Sequence, residues 1–136
     1  MKIILSILLL MGFMVTKSQE LPKEYNLIVN KADSLFKAKD FAMAASTYSK
    51  AFNAAGNLGK IRDRYKAACC YSLSNNIDSA FYQLNRIVIN GKYTDYDEFE
   101  KESSFIKLHT DKRWVALIDL MRRNDDAIRN MINDNQ

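Results

Sequence analysis

Helix breakers are scarce in this chain. Its 136 residues include one proline and four glycines. Those two residues are the main interrupters of helices, so their scarcity leaves long stretches free to be helical. Cysteine is scarcer still. Cys69 and Cys70 are the only two, and they are neighbours. Adjacent residues on a helix point about 100° apart and make poor disulfide partners. With no third cysteine, an internal disulfide framework is excluded. The pair is expected to serve as small buried hydrophobes, and the alternative is a bridge to a second chain in an oxidising compartment. Histidine occurs once, at His109. One histidine and two adjacent cysteines form no metal site of known spacing, so neither metal nor cofactor is expected. No serine elbow, glycine-rich phosphate loop or framed pair of catalytic carboxylates is present. Nor is there a strong charge of one sign. Twenty basic residues face sixteen acidic ones, and Lys2 and Lys17 belong to the N-terminal leader described next. The small remaining excess gives no reason to expect nucleic acid as a partner.

What is present begins with that leader. Lys2 precedes an unbroken apolar or small run from Ile3 to Val15. Thr16-Lys17-Ser18 then sets small residues three and one positions before a cut ahead of Gln19. This is the layout of a secretory signal peptide. The run is shorter than the roughly 20 residues a spanning helix needs. Residues 1–18 are therefore expected to be removed and the chain to be periplasmic or secreted, with no stable membrane insertion afterwards. A retained anchor is the alternative. No cysteine lies near the cut to carry a lipid.

From Gln19 the chain reads as a single all-α domain over residues 19–132, with a short frayed tail at 133–136. Pro22 suits the first turn of a helix. Ile28, Ala32, Leu35 and Phe36 then follow at helical spacing within Lys23 to Ala38. Asp40 is a good N-cap for a second helix, Phe41 to Ala55, with Phe41, Ala44, Ala45, Tyr48, Ala51 and Phe52 on one face. Gly56-Asn57 ends it. A third helix runs from about Lys60 to Ser74 with Ile61, Tyr65, Ala68, Cys69 and Tyr71. Asn76 caps a fourth, Ile77 to about Asn90, and Gly91 stops it. A short helix is expected from Asp97 to Glu102 with Phe99 buried. Thr110 or Asp111 caps a last helix from Lys112 to about Asn130.

The two hairpins repeat. Ala32, Leu35, Ala44, Tyr48 and Ala51 correspond to Ala68, Tyr71, Ala80, Leu84 and Ile87, each pair 36 positions apart. Small residues let two helices cross closely while bulky neighbours fill the space beside them. The pattern resembles the tetratricopeptide repeat, a helix–turn–helix unit of about 34 residues, over units of roughly 25–58 and 61–94. Ile28 and Arg64 stand where that family usually has tryptophan, and Ile87 is large where it prefers a small residue. Further on, Phe105, Leu108, His109, Asp111, Arg113, Trp114 and Leu117 match the terminal motif of the TPR end-of-group family, F-x-x-L-H-x-D-x-R-W-x-x-L. Glu102 replaces its usual aspartate and Lys112 its usual proline. The resemblance implies an exported bacterial protein of the Bacteroidetes type. Its two helix hairpins would be closed by a capping helix over roughly residues 95–132. A stacked array exposes its last apolar face, and Phe99, Phe105, Leu108, Trp114, Leu117 and Ile118 would cover it.

In such an architecture the first helix of each unit lines a concave face where partners bind. Repeat position places Asn26, Val29, Asn30, Asp33, Phe36 and Lys37 there from the first unit, and Arg62, Tyr65, Lys66, Cys69 and Ser72 from the second. Amide, aromatic and basic groups together suit an extended peptide. Elsewhere, His109 and Asp111 would be the only possible general-base pair. Their structural alternative is a fixed corner, with the imidazole on a backbone carbonyl and Arg113 on Glu102 or Asp111. The acidic run Asp95 to Glu100 lacks the central glycine and alternating ligands of a calcium loop and reads as a solvated helix start. The expected function is a non-catalytic protein–protein interaction module of the cell envelope that takes a peptide or protein partner or self-associates. The alternative is an accessory or regulatory domain serving a hydrolase or sensor enzyme in trans.

Overall fold

The computed structural model describes residues 20–135. The expected leader at 1–18 lies outside the described residues, as do Gln19 and Gln136. Among the described residues all regular structure is helical, and no helix is long and apolar enough to cross a membrane. Six α-helices follow in order: α1 (Lys23–Lys37), α2 (Phe41–Ala54), α3 (Ile61–Leu73), α4 (Ile77–Asn85), α5 (Tyr96–Lys101) and α6 (Lys112–Asn133). A π-helical turn, Arg86–Asn90, extends α4, and a 3₁₀ segment, Ser103–Leu108, follows α5.

Local chemistry sets the boundaries. Asp40, Asn76, Asp95 and Asp111 each accept a backbone N–H of the first turn they precede, from Met43, Ser79, Glu98 and Arg113 respectively. Such caps satisfy donors that a helix start leaves unpaired. Pro22 stands just before α1 as its cap residue rather than inside the first turn, with its carbonyl accepting Tyr25 N–H at 3.0 Å.

The turns of the two hairpins share one geometry. Asp40 N–H donates to Leu35 O at 3.0 Å, and 36 residues later Asn76 N–H donates to Tyr71 O at 2.8 Å. Lys39 and Asn75, just before those donors, both take left-handed backbone, with φ of 60° and 66°. This is how a helix commonly closes its last carbonyls. Asparagine tolerates that conformation, whereas lysine does so at a cost.

Helix α3 is the centre of the molecule, packing on α2, α4 and the 3₁₀ segment. Ala67 and Cys70 enter a core with Tyr25, Ala32, Ala44, Tyr48, Ala51 and Phe52. Ala68 and Cys69 enter a second core with Leu84, Ile87, Phe99, Phe105, Trp114 and Leu117. The run Ala67-Ala68-Cys69-Cys70 is buried throughout. Only small side chains let a helix be covered on both sides at native packing density. Both cysteines are free thiols.

The fourth helix does not run regularly to Asn90, because its last five residues widen into the π-helical turn. That turn offers the Val88 carbonyl to the Asn124 amide of α6 at 3.0 Å. Gly91 fits beneath because a Cβ there would lie 2.5 Å from Ile87 O. Tyr25, outside the apolar set that the helical spacing picks out in α1, is fully buried. Asp63 and Arg64 are also buried, at 6% and 4% exposure. Each is satisfied. Tyr25 OH donates to Asp63 at 2.6 Å. Arg64 donates to Gln83 Oε1 at 2.8 Å and Asn57 O at 2.7 Å, and lies 4.3 Å over the Phe52 ring.

Candidate functional site

Helices α1 and α3 border two clefts that meet. The first, about 410 Å³, lies between Asn26, Val29, Asn30 and Asp33 of α1 and Lys60, Arg62, Asp63 and Lys66. The second, about 590 Å³, is walled by Phe36 of α1 and by Ile61, Arg62, Tyr65, Lys66 and Cys69 of α3. Its far wall comes from Tyr93, Glu98, Glu102 and Ser104. Arg62 and Lys66 border both clefts.

The sequence-expected residues fall along this groove with some differences. Asn26, Asn30 and Arg62 are exposed. Phe36, Tyr65 and Lys66 are half-buried walls. Lys37 is exposed and lines neither cleft. Cys69 is 4% exposed and forms floor rather than contact surface. Val29, 8% exposed, joins the first core while bordering the polar cleft. Ser72 does not face the groove. It is fully buried, and its hydroxyl donates to Ser104 O at 2.5 Å, fastening α3 to the segment beyond α5.

Electrostatics differ along the groove. In the polar cleft Lys66 Nζ lies 2.7 Å from Asp33 Oδ1, and Tyr48 OH donates to the same carboxylate. Burial alone would raise the Asp33 pKa. The Lys66 and Tyr48 donors outweigh it and hold the carboxyl below its ordinary value. Arg62 forms no ion pair among the described residues. In the apolar cleft Tyr65 packs edge-on to Phe99 and lies tilted against Phe105, centroids 5.6 and 5.4 Å away. Tyr93 stacks on Phe99 at 5.3 Å. Burial pushes the Tyr65 hydroxyl up, and it pushes both the Cys69 and Cys70 thiols up to about 12. Neither cysteine is therefore a thiolate at neutral pH.

The residues of the expected cap motif are brought together, with Phe105 reaching the groove wall at Tyr65. Phe105 and Leu108 are fully buried and Trp114 is 6% exposed. His109 does not satisfy a backbone carbonyl as expected. Its ring lies on Trp114 with centroids 4.4 Å apart, and its Nε2 is buried without a hydrogen-bond partner. Nor does Asp111 address His109. Asp111 caps α6 and takes Arg113 through both oxygens, at 3.0 and 2.7 Å. The Arg113 hydrogen bonds lower the Asp111 pKa to about 2. Arg113 reaches Asp78 of α4 at 2.7 Å and lies 4.4 Å over Phe81, so it ties the start of α6 to α4. Glu102, the other expected partner of Arg113, accepts Ser104 N–H at 2.9 Å and Tyr65 OH at 3.4 Å.

Repeat position did not place Tyr93, Glu98, Glu102 and Ser104 in the groove, because only the first helix of each expected unit was assigned to it, and these four follow the second hairpin. The signal was the aromatic-acidic stretch from Tyr93 to Glu102, which also begins a helix, with Asp95 as its cap. Among the described residues no cluster of histidine, cysteine, aspartate and glutamate could hold a metal ion. No protein-family model matches the chain, no curated protein matches it, and no solved structure matches it.

Proposed function

We propose that this protein is an exported, non-catalytic binding module in which two tetratricopeptide-like hairpins are closed by an end-of-group cap. It holds an extended peptide or protein segment along α1 and α3. The equivalent turn geometry 36 residues apart supports the repeat reading. Ala32, Ala44, Ala68 and Ala80 support it too, each fully buried at corresponding positions. The observation that carries the binding reading is the junction of the two clefts at Arg62 and Lys66. In this reading the two adjacent clefts serve as one groove, polar on one side of Arg62 and Lys66 and aromatic on the other. Asn26 and Asn30 offer amide donors and acceptors to a peptide backbone, and Tyr65 and Phe36 offer apolar walls to its side chains.

Site-specific photocrosslinking tests this. A photoreactive residue is placed at Arg62 in the groove and, as control, at Met43, exposed on α2. Crosslinking in intact cells should give a discrete adduct from position 62 and none from position 43. Adducts from both, or from position 43 alone, would move the binding surface off the groove. A crosslinked copy of this chain would identify self-association as the use of that face.

A further inference from the structure

We infer that the aromatic end of the groove receives a cationic side chain, an arginine in the bound segment, with Glu98 and Glu102 as its anionic partners. This rests on the peptide-binding reading and adds the chemistry of the ligand. The cleft of about 590 Å³ has an apolar floor and aromatic walls, from Ile61, Cys69, Phe36, Tyr65 and Tyr93. Its far wall carries two carboxylates, and neither Glu98 nor Glu102 forms an ion pair among the described residues. Each is instead held by a phenol of the same cleft. Tyr93 OH donates to Glu98, and Tyr65 OH donates to Glu102 at 3.4 Å.

Two carboxylates beside aromatic walls match one side-chain chemistry closely. A guanidinium is planar, stacks on aromatic faces and offers a fork of donors to carboxylates. It is also weakly hydrated, so it enters a partly apolar cleft more readily than an ammonium. At the far wall an acidic side chain would meet like charge, and a neutral apolar one would gain nothing from the two carboxylates, while Lys66 of the same cleft is already paired with Asp33. The opposite rim has the reverse sign. Arg62 borders the cleft and is itself without an ion pair, so it disfavours a second cation on that side. The bound segment is thereby oriented, with its arginine toward the cap and its neutral or acidic part toward α1.

Selection from a random heptapeptide display library against the purified chain tests this. The Glu98→Gln/Glu102→Gln double variant serves as comparison. Glutamine keeps an acceptor for Ser104 N–H and for the phenols, so the variant removes charge with little change of shape. Enriched peptides should carry arginine beside an apolar residue. A synthetic peptide of that sequence should bind the double variant about tenfold more weakly, the scale of one charge-assisted contact. Its Arg→Gln counterpart should bind both proteins alike. Enriched peptides without a basic preference, or an arginine peptide indifferent to the double variant, would overturn this inference while leaving the groove in place. Failure to enrich any peptide relative to an Arg62→Glu, Asn30→Arg variant would overturn the peptide-binding reading, and this inference with it.

Discussion

Replacing Trp114 by alanine tests how the end of the molecule is closed. The indole is 6% exposed, with Phe99 at 6.5 Å, Phe105 at 6.0 Å and His109 at 4.4 Å between ring centroids. A side chain of this size buries on the order of 200 Å². At about 25 cal/mol per Å² that amounts to roughly 5 kcal/mol, an upper value because unfolded chains are not fully extended. Alanine recovers a small part, and the surrounding rings, each packed on others, collapse only partly into the space. The expected loss is therefore about 3–5 kcal/mol. Since Trp114 is the only tryptophan, unfolding should be followed by far-UV circular dichroism in urea rather than by fluorescence. In a thermal melt the same loss should lower the Tm by about 10 °C or more. Trp114→Phe should retain most of the contacts and cost about 1–2 kcal/mol. A loss below about 1 kcal/mol in Trp114→Ala would show that α6 is held without the indole.

Arg64→Met should cost about 2–3 kcal/mol in urea unfolding, because Gln83 Oε1 loses its buried donor while Asn57 O keeps Arg86 as a partner at 2.9 Å. A variant as stable as the parent would remove Arg64 from the core's essential contacts. Lys39→Gly should raise stability by up to about 1 kcal/mol by releasing a left-handed lysine, and a destabilised variant would refute the strain. The Asp111 carboxyl titrates at about 2 in the folded chain, below its ordinary value near 3.9. Its contribution is therefore fully present above about pH 4 and is lost as pH falls toward 2. Acid titration of Asp111→Asn should show a shallower stability loss in that window, whereas an unchanged acid limb would refute the coupling to Arg113. Both thiols, buried and titrating near 12, should resist a disulfide-exchange reagent at pH 8 until the chain is unfolded. Rapid reaction in the native state would reopen the bridge to a second chain.

Much of the helical layout was legible because its signals are local. Asp40, Asn76 and Asp111 are capping residue types at the places where the apolar period restarts, and each accepts the first-turn N–H expected of it. Periodicity was silent where charge was buried. The spacing of apolar residues does not say where Asp63 and Arg64 lie, because it sees one helix at a time. Helix α3 is covered on two sides, so no broad polar face remains on it. The partners of those charges come from distant elements. Tyr25 lies 38 residues before Asp63, and Gln83 lies 19 residues after Arg64. The run of four small buried residues at Ala67 to Cys70 was the visible sign of two-sided burial.

The groove was legible on one wall only. Repeat spacing assigns side chains on the helices of a hairpin, so it could place Tyr65 and Lys66, but it is silent about whatever follows the last hairpin. Here the chain turns back after Gly91, and Tyr93 stacks on Phe99, which also packs against Tyr65. That one phenylalanine joins the second core to the cleft. It is buried for stability, and it holds the two tyrosines that line the site. The segment after Gly91 thus contributes to both the second core and the far wall of the cleft, where Glu98 and Glu102 lie. It follows that Phe99→Ala should weaken both stability and ligand binding, whereas Glu98→Gln should leave unfolding unchanged and alter only the choice of ligand. Unfolding and binding measured on the two variants would separate the segment's structural part from its recognition part.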